Sequence, residues 1–240
     1  PITRTTTVTR NIGCGAGSST IDIARRVGAE GFVTGLDISP TMIDGAEKLA
    51  SEAGTENVAF EVSDAMVASF SGDHDAIYSR FGVMFFADAT RGFANMRTAL
   101  RAGGRLGFVC WQTPAQNEWA SVPLGVIGEF AELPFSADPT APGPFSLSDR
   151  ARLEHVLGGA GFVDIDIAGR ERAVKLGDSL DDAVDFMFGL MPPAAALRAE
   201  DPDTAAQVAR RLHDAFGDWV EGDAVMAPSA TWIVTARNPA

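Results

Sequence analysis

The chain has 240 residues, 46% of them apolar, and carries 19 Lys and Arg against 32 Asp and Glu, a net charge of −13. That content can fill the core of one α/β domain with insertions, whereas an acidic chain without a basic cluster lacks the face a nucleic-acid binder needs to neutralise phosphates. No apolar run reaches the roughly 18 residues of a membrane span and no apolar signal core opens the chain, so neither nucleic acid nor membrane is an expected partner and the expected compartment is the cytoplasm.

The opening PITRTTTVTR is polar and lacks an initiating Met. A central strand of a parallel sheet is covered on both faces and should be almost wholly apolar, yet Thr9, Arg10 and Asn11 stand between Val8 and Ile12. Either the first strand starts late or the native beginning of the chain is missing. NIGCGAGSSTIDIARRV (11–27) then reads as strand, tight turn and helix, with glycines at 13, 15 and 17 and helical spacing at Ile21, Ala24 and Val27. Glycine lets a ligand touch bare backbone, and the unpaired N–H groups of a helix's first turn favour electron-rich groups. The spacing is G-x-G-x-G; the third glycine of the dinucleotide pattern G-x-G-x-x-G would fall on Ser18.

FVTGLD (32–37) reads as a buried strand, and Ser39 with Pro40 predicts the start of a helix reaching about Ala53, which Gly54 stops. VAFEV (58–62) is a third strand and DAIYS (75–79) a fourth, followed by a helix capped by Asp88 and striped by Phe93, Met96 and Leu100. The turn RAGG ends that helix, and RLGFVCW (105–111) is a fifth strand. Strands alternating with helices of this length predict right-handed crossovers and a parallel, doubly wound sheet. Cys14 and Cys110 fall on strands too far apart to bridge if one strand lies between them, so both are expected as free thiols.

Residues 112–147 carry six prolines (114, 123, 134, 139, 142 and 144), which leaves an irregular segment with at most one short helix near 117–131. Ser148 is the expected cap of a helix with Leu153, Val156 and Leu157 inward, and VDIDIA (163–168) alternates like an edge strand. Two more helices follow, one opened by Ser179 with Asp182 and one striped by Ala205, Val208, Leu212 and Phe216; TWIVTA (231–236) is the last strand. Without a repeat or a linker, 1–240 reads as a single domain.

Ligands of open parallel sheets bind outside the carboxyl ends of the strands. The glycine turn follows the first strand, Asp37 ends the second, Asp64 follows the third, and Ser79 and Arg80 end the fourth. Asp37 lies 20 residues beyond Gly17 (37 − 17), where a carboxylate can accept from both hydroxyls of a ribose; Asp64 with Ala65 can take an adenine amino group. A single aspartate at a strand end is commonly a helix cap, but two in register with a glycine turn make a site.

At these residues the sequence resembles the class I S-adenosylmethionine-dependent methyltransferases of small-molecule type. NIGCGAG, GLDIS, SDA, DAIYSRFGVMFF and LRAGGRLGFVCW carry the resemblance, which covers nearly the whole chain. It implies a Rossmann-like, mostly parallel seven-stranded sheet with its last strand antiparallel, and S-adenosylmethionine as cofactor. By position, Gly13, Gly15 and Gly17 would approach the methionine portion, Asp37 the ribose, Ile38 and Met42 the adenine faces, and Asp64 with Ala65 the adenine edge; Asn11, Ser79 and Arg80 complete the candidate set. The family's acidic residue before the first glycine is Asn11 here, and the helical segment that usually precedes the first strand is absent.

Methyl transfer from a sulfonium is an in-line displacement that alignment and exclusion of water can accelerate without a universal base. His74 and His155 read as ordinary surface or packing residues, whereas His213 is a candidate base in a late helix. Phe85, Phe86 and Trp111 either wall an acceptor pocket or pack the core, and no cluster has metal-ligand spacing. Segments 112–147 and 178–228 are expected to form a helical lid that admits a small, partly apolar acceptor. Two other readings stay open: a nicotinamide-dependent oxidoreductase, and a cofactor-binding scaffold without turnover because of the altered N-terminus.

Overall fold

The computed structural model describes residues 7–133, 136 and 138–240. The first six residues of the polar opening, and Pro134, lie outside them. Five strands form the parallel part of the sheet: β1 (Val8–Ile12), β2 (Phe32–Asp37), β3 (Val58–Val62), β4 (His74–Arg80) and β5 (Leu100–Trp111). They lie in the order β3-β2-β1-β4-β5, each neighbouring pair parallel. The path continues through β8 (Ala224–Arg237) to β6 (Val163–Gly177) at the edge, and the two-residue β7 (Val220–Glu221) pairs antiparallel with β8. The sheet thus has the seven expected strands plus β7.

The last strand is antiparallel, as the family resemblance implies. The Asn238 N–H donates to the Gly104 carbonyl and the Gln112 N–H to the Ala230 carbonyl, so numbering rises along β5 while it falls along β8. This explains one departure from the sequence reading. The segment RAGG is not a turn before the fifth strand but lies inside β5: the pairing register jumps from His74 with Leu100 to Ala76 with Arg105. Buried Leu100 anchors the start of the strand, and the surplus residues loop out through Gly103 (φ 74°) to bond Asn238.

Crossover helices α1 (Ser18–Val27), α2 (Pro40–Glu52) and α3 (Ala89–Ala99) fall where periodicity places them. The Met42 N–H donates to the Ser39 hydroxyl and the Arg91 N–H to Asp88, the expected caps. In α5 (Arg150–Gly159) the cap is Asp149 and not Ser148: Asp149 accepts from the Arg152 N–H at 2.7 Å, while the Ser148 carbonyl takes the Trp232 indole N–H.

The described residues divide into two compact units. The first holds residues up to Trp111 with Thr140–Ala168 and Trp232–Ala240; the second holds Gln112–Pro139 and Gly169–Thr231. In the first, Phe93 and Met96 of α3 and Leu153, Val156 and Leu157 of α5 join Ile77, Leu106 and Phe108 of the strands in one buried cluster. In the second, α4 (Glu118–Gly128), α6 (Leu180–Leu190), α7 (Pro192–Glu200) and α8 (Pro202–Phe216) gather around Met187, Phe188, Leu212 and Phe216. The predicted α8 stripe, Ala205, Val208, Leu212 and Phe216, is wholly buried. Helix α7 escaped the sequence reading because Ala194 is its only buried residue, too little for a periodic signal.

The arginine of β1 is accounted for by its partners. Arg10 donates to Glu61 (3.0 Å) and to His74 Nε2 (3.4 Å), and its guanidinium lies 5.0 Å over the Phe70 ring. The Val8 N–H donates to Asp75 at 2.8 Å, and Asp75 also accepts from Arg101 at 2.7 Å.

Candidate functional site

The site begins with two backbones in contact. Gly13 follows β1 at φ 64°, and a Cβ there would stand 2.7 Å from the Cα of Gly82, just beyond β4. Only glycine suits both that conformation and that approach. Gly15 donates its N–H to Asp37 Oδ2 at 2.9 Å, and the Ser39 N–H donates to Oδ1 at 3.0 Å. Asp37 therefore ties the glycine turn to the β2–α2 loop, and each of its oxygens keeps acceptor capacity beyond the backbone bond it takes. Gly17, at φ 85°, serves helix packing: a Cβ would sit 2.8 Å from the Cβ of Ala46 in α2.

A cleft of about 500 Å³ opens at the carboxyl ends of these strands. Of the predicted residues, Gly13, Asp37, Ile38, Asp64 and Ala65 line it together, and Phe85 and Phe86 line it as well. Asp64 Oδ1 accepts from the Met66 N–H at 2.8 Å, while Asn95 donates to the Ala65 and Ala68 carbonyls, which pins that loop to α3. Ile38 is 71% exposed, Phe85 56% and Met42, in the first turn of α2, 46%. Two large apolar side chains, Ile38 and Phe85, held open to solvent in a cleft with two carboxylates suit a ligand with a flat apolar part and hydroxyl or amino donors.

Asn11, Gly15, Gly17, Met42, Ser79 and Arg80 stand outside the lining of this cleft. Asn11 is fully buried, and its Nδ2 donates to the hydroxyls of Ser19 and Thr20, both at 2.9 Å. Asn11 Oδ1 and Ser79 Oγ have no hydrogen-bond partner among the described residues. Arg80 is exposed, and its Nη2 lies 3.3 Å from the Ser18 hydroxyl.

Sequence reasoning missed Phe81, Gly82 and Met66, which also line the cleft. Phe81 holds a left-handed φ of 60° and stacks on Trp111 at 4.2 Å, so Trp111 supports the wall through Phe81. The signal that could have found Gly82 is a lone glycine just after a strand end that faces the glycine turn; Met66 left none.

Burial pushes the Cys14 thiol up to about 12, with the nearby Asp37 charge as a second cause, and burial pushes Cys110 up to about 12. Both are free and buried, and such thiols stay protonated and are poor nucleophiles near neutral pH. His74 starts β4 and sits buried with Nδ1 3.2 Å from the Ala99 carbonyl. His155 lies on α5 and His213 on α8 of the second unit. Among the described residues no group of three His, Cys, Asp or Glu is placed to hold a metal ion, and no helix is long and apolar enough to cross a membrane.

A mostly parallel sheet of this order, with a glycine turn after β1 and carboxylates at the end of β2 and after β3, is the class I, Rossmann-like methyltransferase fold. Residues 11–104 match the family model described as a methyltransferase domain. Aklanonic acid methyltransferase DauC of Streptomyces sp. (strain C5) is 33% identical over 147 residues, 61% of this chain and 58% of that protein. This chain therefore matches little more than half the length of that relative. The YcgJ protein from Bacillus subtilis superposes with a TM-score of 0.62 at 16% identity, covering 99% of this chain and 94% of that one. A phosphoethanolamine N-methyltransferase of Haemonchus contortus, solved in complex with S-adenosyl-L-methionine, gives 0.58 at 16% identity over 100% of this chain and 50% of that one. These structural likenesses show the fold.

Proposed function

We propose that the chain transfers a methyl group from S-adenosylmethionine to a small, partly apolar acceptor. The observation that carries this reading is Asp37: one carboxylate joins the glycine turn to the β2–α2 loop at the rim of a cleft that also holds Asp64. The residues fit the cofactor. Asp37 supplies acceptors for a pair of ribose hydroxyls, Ile38 and Met42 supply apolar surface for a purine, and Asp64 with Ala65 supplies an acceptor and a backbone edge for its amino group. The bare backbone of Gly13 and Gly82 accepts the close approach of the thioether portion.

The cofactor supplies a sulfonium-bound methyl group that leaves on in-line attack. The chain's residues bind, orient and exclude water: the tied loops fix the nucleoside, and Phe81, Phe85 and Phe86 present apolar surface to the acceptor. The relative named for aklanonic acid supports a small-molecule acceptor. Calorimetry followed by methyl-transfer assays over a panel of small acceptors tests the reading. It expects one bound cofactor per chain and transfer to a small acceptor. Binding without transfer to any acceptor would favour a scaffold, binding of NADH in place of adenosylmethionine would favour an oxidoreductase, and equal methylation of protein or nucleic acid would remove the size restriction.

A further inference from the structure

We propose that two copies of this chain associate through the free edge of β6, antiparallel and two-fold about Ala168, with Asp164 and Asp166 of each copy opposite Arg172 and Arg170 of the other. No residue of β6 lines the cofactor cleft, so the proposal stands apart from the methyltransferase reading.

The first argument is the edge. Strand β6 runs through 15 residues, Val163–Gly177, and ends its side of the sheet with β8 as its neighbour. The hydroxyls of Ser229 and Thr231 in β8 donate to the carbonyls of Arg172 (2.6 Å) and Arg170 (3.4 Å), so the even-numbered carbonyls of this stretch face β8. Successive carbonyls of a strand point to opposite sides, and the odd-numbered ones therefore face outward. There the Ile167 carbonyl takes the Arg150 guanidinium of α5 at 3.0 Å. Residues 169–173 are all exposed. A long edge of this kind is a template for another strand.

The second argument is charge. Asp164, Asp166, Ala168, Arg170 and Arg172 are alternate residues and share a face. Two carboxylates precede Ala168 and two guanidiniums follow it at the same intervals. Outward backbone groups pair odd residue with odd residue, and among those antiparallel registers the one centred on Ala168 alone sets both aspartates opposite both arginines. The charges then fall at the positions without backbone bonds between them, where opposed side chains come closest. Asp166 has no ion pair among the described residues, and Arg170 and Arg172 donate to the carbonyls of Gly169 and Glu171 beside them. Asp164 already holds Arg237 at 2.7 Å and sits at φ 51°, which places it where regular pairing stops and leaves Asp166 with Arg170 as the main pair. Charges that guard an edge against pairing repel when two copies meet. These attract, and two-fold symmetry makes each contact twice.

Sedimentation equilibrium of the full chain tests the proposal. The unaltered chain should show a concentration-dependent dimer. Asp166→Arg and Arg170→Asp, both at exposed positions, each set like charges opposite one another and should raise the dimer dissociation constant about tenfold or more. Mixing the two variants should restore association, because the reversed charge of each copy then meets its opposite on the other. The double variant Asp166→Arg with Arg170→Asp should dimerise alone for the same reason, which separates lost pairing from lost folding. The proposal is overturned if the unaltered chain stays monomeric, if either single variant associates as tightly as the unaltered chain, or if the mixture and the double variant both remain monomeric.

Discussion

The two ends of strands β1 and β4 are built from similar residue types and do opposite things. At the amino end, Asp75 accepts from both the Val8 N–H and Arg101, and from the middle of β1 Arg10 reaches back to His74 and the Phe70 ring and across to Glu61. At the carboxyl end, Asn11 Oδ1 and Ser79 Oγ are buried without partners among the described residues, and Ile38 and Phe85 stand exposed. Satisfied polar groups lock a sheet together, whereas unsatisfied ones and open apolar surface lower stability unless something binds there. One end is satisfied by its own residues, and the other keeps groups that a bound ligand would satisfy.

The substitution with the largest expected effect is Gly13→Ala. A side chain there meets Gly82 backbone at 2.7 Å and must hold φ 64°, which should cost about 2–4 kcal/mol of stability and abolish cofactor binding. A loss below about 0.5 kcal/mol in urea unfolding, the range of an innocuous surface change, would mean that the close approach is not required. Asp37→Ala should weaken adenosylmethionine and adenosylhomocysteine by about 1.5–3 kcal/mol, tenfold to a hundredfold. Asp75→Ala provides the contrast at the other end. It strands the Val8 N–H and should lower stability by about 1–3 kcal/mol, with the calorimetric dissociation constant for adenosylhomocysteine unchanged. A parallel loss of affinity would dissolve the division between the two ends.

The smallest effect concerns the thiols. Cys14 and Cys110 ionise near 12 in the folded chain but near 8.5 once unfolded. The folded state keeps protons that the unfolded state sheds, so this contribution is intact below about pH 8.5 and stability declines as pH rises toward 12. Cys110→Ala should flatten that alkaline decline, and a thiol reagent at pH 8 should label neither cysteine before unfolding. Rapid labelling of Cys14 would show that the glycine turn opens.

The sequence made the first unit legible because its signals are local. Glycines 13, 15 and 17, the Ser39-Pro40 and Asp88 caps and five short apolar runs each point to one element, and the topological rule for parallel sheets then places Asp37 and Asp64 at one end. What stayed hidden depends on partners distant in sequence. RAGG looks like a turn until Asn238 pairs with Gly103 and Gly104. Ser148 and Asp149 are both good caps, and Trp232 takes the Ser148 carbonyl. Gly17 looks like a third contact for a ligand until Ala46 is seen against it. The role of Phe81 depends on a left-handed backbone and a stack on Trp111, neither of which leaves a pattern in the chain.

The central claim is that the carboxyl end of this sheet binds an adenosyl sulfonium cofactor through Asp37. Titration calorimetry of the unaltered chain and of Asp37→Ala with adenosylhomocysteine, with NADH run in parallel, tests it most directly. The account predicts one adenosylhomocysteine per chain, a loss of about tenfold or more on Asp37→Ala, and no heat with NADH. Binding of NADH in place of adenosylhomocysteine, or equal affinity in the two proteins, would contradict it.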